Sequence, residues 1–241
     1  MAQMLIKMSI IHYQFKCLEP YIDGNGRMGS LIWTNQQAIN LQINRVDYFN
    51  VNASSTTFDG TPRDYCGGVG FVDIDFQSNE ALFTEPNFNQ HLSCYDGTVK
   101  TNGKGIQTNG FVWNEQDVMV LRVHDTRAFQ TPSVVNLRTL RAPIVQRAKH
   151  KSISKISIIG DKLILTQESS ERDYYCKSAV VITIPDAQTR AWIAKDTELK
   201  LSTLAGQRDY TILIASAATF DPKFDVVGKA INQVEAAAKQ G

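Results

Sequence analysis

Segment after segment of this chain alternates apolar and polar residues with a period of two. Residues 38–44 read AINLQIN, with Ile39, Leu41 and Ile43 set against Asn40, Gln42 and Asn44. That period places successive side chains on opposite faces of a β-strand, so the segment predicts a half-buried strand. MGSLIWT (28–34) precedes it as a partner strand, with Asn35-Gln36-Gln37 as the hairpin loop. GFVDIDF (70–76) aligns Val72, Ile74 and Phe76 on one face, and HLSCY (91–95) runs into Asp96-Gly97, a hairpin-turn dipeptide. FVWN (111–114) and DVMVLRVHD (117–125) follow, the second setting Met119, Leu121 and Val123 against Val120, Arg122 and His124. KISII (155–159) and KLILTQ (162–167) flank Gly160-Asp161; SAVVITI (178–184), AWIAK (191–195), ELKLST (198–203) and YTILIASA (210–217) complete the series. Strands at this spacing, joined by turns rather than helices, point away from βαβ units. They predict an all-β fold, a large antiparallel β-sandwich (a supersandwich).

Helical periodicity is confined to the two ends. Met4, Met8, Ile11, Phe15 and Leu18 recur every three or four residues until Pro20, which predicts a short N-terminal helix. Val227, Ala230, Ile231, Val234 and Ala238 recur likewise in DVVGKAINQVEAAAKQ (225–240), which predicts a C-terminal helix, with Asp221-Pro222 as a start signal nearby. The expected organisation is an N-terminal helical segment (1–22), a β-sandwich (23–224) and a C-terminal helix (225–241) that covers the sandwich or links it to a further domain.

Composition removes several function classes. The net charge is +1, so no global field draws the chain to nucleic acid or an acidic membrane. No apolar run approaches the roughly 18 residues of a membrane span. MAQMLIKMSIIHYQFK lacks the apolar core and cleavage site of a signal peptide, so the chain as written is expected in the cytoplasm or to have lost its leader. Cys17, Cys66, Cys94 and Cys176 are scattered, without a CxxC pair, and are expected to be buried or idle thiols. The histidines at 12, 91, 124 and 150 show no metal or triad spacing. No metal site, no cofactor and no catalytic residue is expected, and oligomeric state is not legible.

A few residues carry the remaining chemistry. Asp23-Gly24-Asn25-Gly26-Arg27 reads first as a tight turn that opens a strand, where glycine supplies φ > 0. Its alternatives are a phosphate loop or a ligand contact through Asn25 or Arg27. Asp73 and Asp75 share one strand face, and Glu168, Glu171 and Asp173 fall in a polar, turn-like stretch. Paired carboxylates serve acid–base chemistry, but a solvated strand face is the commoner setting. Trp33, Trp113 and Trp192 each lie in a predicted strand; core packing is their first reading and stacking on a sugar the second. The basic run RTLRAPIVQRAKHKSISK (138–155) has few interleaved aromatics and reads as a solvated connection.

Two family resemblances meet at the glycine loop. LIKMSIIHYQFKCLEPYIDGNGRMGSLI (5–32) resembles the core of Fic-type proteins, which transfer AMP from ATP to protein hydroxyls. Pro20, Tyr21, Asp23, Gly24, Asn25, Gly26 and Arg27 match that motif. Glu19 stands in place of its histidine and Ser30 in place of a second arginine, and the all-helical fold of that family cannot be built from the strands that follow. DGNGRMGSLIWTNQQAINLQINRVDYFN resembles the opening of the N-terminal β-sandwich of glycoside hydrolases of the family 95 and family 65 type. There a Gly-Asn-Gly-Arg-hydrophobic-Gly segment starts a hairpin whose second strand ends as Asn44, Arg45, Asp47 and Tyr48 do here. FNQHLSCYDGTVKT, GFVWNEQDVMVLRVHD and YTILIASAATFDP resemble later segments in the same order, over about residues 24–240. The resemblance implies a non-catalytic, structural or carbohydrate-associated module, because the catalytic carboxylates of that clan sit in a helical barrel beyond the sandwich. The alternatives are a degenerate Fic-type AMP transferase or pseudo-enzyme, which the first resemblance implies, and a free-standing glycan- or protein-binding sandwich. The expected partners are a carbohydrate or a C-terminal catalytic domain. Asn25, Arg27, Asn44, Asp47, Trp33 and Trp113 are the expected ligand-binding residues.

Overall fold

The computed structural model describes residues 27–50, 65–93, 95–113, 115–147 and 149–240. The expected N-terminal helix and the loop through Asn25 lie outside these residues, as do most of the Fic-like residues. Of that segment residues 27–32 are described, and Met28 to Ile32 among them belong to a strand.

Fifteen strands and one helix follow among the described residues: β1 (Met28–Thr34), β2 (Ala38–Asn50), β3 (Tyr65–Asp75), β4 (Asn89–Ser93), β5 (Thr98–Gly103), β6 (Ile106–Trp113), β7 (Val118–Asp125), β8 (Val134–Arg138), β9 (Ile144–Arg147), β10 (His150–Ile159), β11 (Lys162–Glu171), β12 (Tyr174–Thr183), β13 (Thr189–Lys195), β14 (Glu198–Thr203), β15 (Asp209–Thr219) and α1 (Val226–Ala238). They form two antiparallel sheets, one of six strands ordered β1-β2-β3-β8-β14-β13 and one of nine ordered β4-β5-β6-β7-β15-β12-β11-β10-β9. The last strand, β15, sits between β7 and β12 and joins two meanders into the wider sheet.

Local chemistry sets the hairpins. The Asn35 carboxamide oxygen accepts hydrogen bonds from the backbone N–H groups of Gln37 and Ala38, both at 2.8 Å, which fixes the β1–β2 turn and pairs Trp33 with Asn40. Gly97 and Gly160 take positive φ at the predicted turns. The inner faces then meet as the alternation requires. Ile39, Leu41, Ile43, Val72 and Ile74 of the six-stranded sheet pack against Leu163, Leu165, Val180, Ile182, Ile212 and Ile214 of the nine-stranded sheet. The fold is the expected all-β sandwich.

On the outer face of the wider sheet, α1 covers a second apolar stripe that includes Val118, Val120, Ala179, Val181, Leu213 and Ala215. The Asp225 carboxylate caps its N-terminus by accepting from the Gly228 N–H at 2.9 Å. The buried helix face carries Val226, Ala230, Gln233, Val234 and Ala237, rotated from the expected one: Ala238 is exposed.

Other expectations change as well. The supposed solvated connection at 138–155 contains β9 and much of β10. Glu168 and Glu171 lie inside β11 rather than in a turn; the turn of this polar stretch is confined to Arg172 and Asp173, and Arg172 adopts φ +55°. The three tryptophans are half-buried rather than core.

Candidate functional site

The outer face of the nine-stranded sheet changes character where α1 ends. Strand β6 shows the change along its own length, because Gln107, Asn109, Phe111 and Trp113 follow one another on that face. Antiparallel register extends each of these positions across the neighbouring strands. Lys100, Asn109, Arg122 and Thr211 form one row, and Asn102, Gln107, His124 and Asp209 form the next. Side chains in a row stand about 4.8 Å apart, and the rows about 7 Å apart. The result is a flat lattice of eight polar groups. The rows beyond it are apolar, Phe111-Val120-Leu213 and then Trp113-Val118-Ala215, and pass beneath α1.

Two hollows of about 410 and 350 Å³ lie over this boundary and share Arg122, Asp186 and Thr211, so they make one groove. Its polar end is floored by the lattice. Its apolar end is walled by Phe111, Trp113, Leu213 and Ala237. The Asp186 carboxylate accepts from the Thr211 N–H at 2.9 Å and closes one side.

Hydrogen bonding in the groove favours positioning over stability. His124 Nδ1 lies 2.6 Å from Asp209 Oδ1, with the two side chains 48% and 74% exposed. So exposed a pair adds little to stability. It does hold the imidazole in one orientation and leaves Nε2 for a ligand. Asn109 Oδ1 is buried with no hydrogen-bond partner. A groove of amide, hydroxyl, imidazole and guanidinium groups beside an aromatic wall suits a hydroxylated ring with one apolar face.

No protein-family model matches the chain, and no curated protein matches it. A solved structure described as a kojibiose phosphorylase from the human microbiome resembles it with a TM-score of 0.50 at 10% sequence identity, over 90% of this chain. The likeness is one of fold. The chain spans 34% of the length of that structure, about a third.

The structure does not bring the expected ligand-binding residues together. Asn25 lies outside the described residues. Arg27 precedes β1, where its carbonyl accepts from the Val46 N–H at 3.0 Å. The Asn44 side chain bonds Gln42 of its own strand. Asp47 receives a two-point hydrogen bond from Arg45 at 2.6 and 2.7 Å. Trp33 stands on the outer face of the six-stranded sheet, edge-on to Phe71 with ring centroids 6.4 Å apart. Of the expected residues that are described, Trp113 alone lies in the groove. Asp73, one of the paired acids, is held by Arg138 and Asn40.

Among the described residues, no group of three His, Cys, Asp or Glu side chains is placed to hold a metal ion. No helix among them is long and apolar enough to cross a membrane. Burial pushes the Cys176 thiol above its usual range, the opposite of an activated thiolate. Of the missed residues, Lys100 and Asn102 had no local signal in the sequence, whereas Gln107 and Asn109 had one. In QTNGFVW every second residue of β6 runs from amide to aromatic.

Proposed function

We propose that this chain is a saccharide-binding β-sandwich module of glycoside-hydrolase-like architecture, with the groove beside α1 as its ligand site. The carrying observation is the gradient along β6, which sets the amides of Gln107 and Asn109 against the rings of Phe111 and Trp113 on one open face. A pyranose ring has the same two-sidedness, with hydroxyls around its rim and C–H groups on its faces. The sandwich fold shared with a protein described as a kojibiose phosphorylase supports that ligand class. The role is binding rather than bond cleavage, and any catalysis belongs to a partner domain.

The test is calorimetric titration of the full chain with kojibiose and with neutral gluco-oligosaccharides. Binding is expected in wild type. Trp113→Ala is expected to weaken it about three- to tenfold, the range for losing one aromatic contact. Asn109→Ala should weaken binding without lowering stability, because its Oδ1 has no partner to lose. Absence of binding to every saccharide at millimolar concentration, or binding indifferent to both substitutions, would overturn the reading. Hydrolysis or phosphorolysis by this chain alone would overturn the non-catalytic part.

A further inference from the structure

The opposite outer face, on the six-stranded sheet, carries a row that crosses the sheet from edge to edge. Register aligns Trp33 of β1, Asn40 of β2, Asp73 of β3, Asn136 of β8, Lys200 of β14 and Trp192 of β13. All six point away from the core: the neighbours of the four central residues, Ile39, Leu41, Val72, Ile74, Val135, Leu137, Leu199 and Leu201, are buried, and Ile32 and Ala191, next to the two tryptophans, pack against the core. A tryptophan therefore stands on each edge strand, with amides and paired ions between. Five strand spacings separate the two rings, about 24 Å.

The middle of the row is polar yet nearly balanced in charge. Asp73 accepts from Asn40 Nδ2 at 2.8 Å and from Arg138 Nη2 at 3.0 Å, while the Arg138 guanidinium lies 5.1 Å from the centre of the Phe71 ring. Lys200 lies 3.6 Å from Glu198. Such a surface offers no net charge to a highly charged polymer. Asn136 Oδ1, at the centre of the row, is buried without a hydrogen-bond partner. Asn40 and Asp73 are buried and bonded to each other, so they brace the row; the rings at the two ends, Lys200 and the unpartnered Asn136 carbonyl are the groups that match an extended, uncharged, hydroxyl-rich chain laid across the strands.

We infer that this face is a second saccharide site, for a neutral oligosaccharide long enough to reach both tryptophans, so that the module holds two glycan segments on opposite sides. The ligand class rests on the reading of the groove given above; the surface does not. The two sites differ in reach. The groove takes a short segment, whereas affinity at the sheet face rises with chain length until the ligand touches Trp33 and Trp192.

The experiment titrates the full chain with neutral gluco-oligosaccharides of graded length, α- and β-linked, by calorimetry. It compares wild type, Trp33→Ala, Trp192→Ala, Asn136→Ala and the groove variant Trp113→Ala, each with an unfolding curve. Two sites are expected in wild type, one of them length-dependent. Trp33→Ala and Trp192→Ala should each weaken the length-dependent site about three- to tenfold and leave the groove site unchanged, with Trp33→Phe retaining most of the affinity. Asn136→Ala should weaken it while leaving the unfolding midpoint unchanged or raised. If only the groove site is found, and Trp33 and Trp192 are indifferent, the inference fails and the groove reading stands. If only the sheet-face site is found, the groove reading fails and the inference stands. No saccharide binding of any length ends both.

Discussion

The Arg45 guanidinium reaches from β2 across the sandwich and donates to the Ser216 carbonyl oxygen of β15 at 2.6 Å. The same nitrogen lies 3.0 Å from Ser216 Oγ. The other terminal nitrogen meets Asp47 at 2.6 Å, and both terminal nitrogens lie 3.4 Å from Asp117 Oδ2. The Arg45 side chain is 1% exposed and that of Asp117 4%, while Asp47 is 30% exposed and opens toward solvent. One buried cation thus ties both sheets to the turn before β7. It also holds Asp117 at φ +53°, a conformation that few residues with a Cβ adopt.

Arg45→Ala is accordingly expected to destabilise the chain by about 3–5 kcal/mol, the cost of leaving a buried charge without its counterpart. Asp117→Asn, made first, removes that charge, so Arg45→Ala should cost less when it is added to Asp117→Asn than when it is made alone. Urea unfolding of the four proteins in the cycle measures the coupling, and additive costs would show that the pair does not act as one unit.

How much of this was legible in the sequence depends on which residues are compared. β2 was legible because Ile39, Leu41 and Ile43 alternate with polar residues in one uninterrupted run. β5, TVKTNG, was not, because its inward positions are Val99, Thr101 and Gly103, which give no apolar stripe. Gly103 is required there by the close approach of Phe83. The polar stretch 168–173 was legible as turn-like, but not the place of its turn, because positive φ falls at Arg172, a residue that does not ask for it. Rows such as Lys100-Asn109-Arg122-Thr211 depend on register among distant strands, which no local pattern encodes. Asp47 enters the expected ligand set through the family resemblance; the alternation of Ile39, Leu41 and Ile43 continues to Arg45 and places it inward, but the ion pair it makes with Asp47 and Asp117 depends on tertiary structure that no local pattern encodes.

Gly103→Ala is expected to cost about 1–3 kcal/mol by overpacking. An added Cβ would sit 2.6 Å from Phe83 Cδ1 and 2.7 Å from the Leu82 carbonyl oxygen. That carbonyl is pinned by the Lys104 N–H at 2.8 Å and cannot retreat. Gly160→Ala provides the contrast: its Cβ meets nothing within 4 Å, but φ is +61°. Its cost is conformational, about 1–2 kcal/mol, so Gly160→Asn should recover part of it while Gly103→Asn should not. Thermal unfolding of the four variants distinguishes steric from conformational loss.

Tyr48 gives the fold an alkaline limit. Its hydroxyl lies 2.7 Å from Ser169 Oγ, and burial raises its ionisation well above the ordinary value of 10.0. Burial likewise raises Tyr175, to about 12, and Tyr210. Above about pH 10 the unfolded chain loses phenol protons that the folded chain keeps. The stability tied to these groups is therefore complete below about pH 10 and falls as pH rises toward the folded values. Tyr48→Phe should cost about 1 kcal/mol at neutral pH through the lost hydrogen bond. It should also flatten the alkaline decline by about 1.4 kcal/mol per pH unit. Urea unfolding at neutral pH and at two steps above the ordinary tyrosine value measures both effects; an unchanged alkaline slope would show that Tyr48 ionises as readily folded as unfolded.

The face that α1 turns to the sheet can be tested at two adjacent alanines. Ala237 is buried against the apolar stripe, whereas Ala238 is exposed. Both have the same helix propensity and lie in the same last turn, so Asp at either position meets the same unfavourable helix dipole. Only at 237 does the carboxylate also enter an apolar contact. Ala237→Asp should therefore destabilise by at least about 2 kcal/mol more than Ala238→Asp, the cost of burying an unpaired polar group. The helical periodicity alone places Ala238 in the stripe, with Val227 and Ile231, and that arrangement reverses the order. Ala238→Asp proving the more damaging in a urea titration would return the helix to the periodicity-derived face. The order expected here would fix α1 with Val226, Ala230 and Val234 on the sheet, the orientation that also sets Ala237 at the apolar end of the groove.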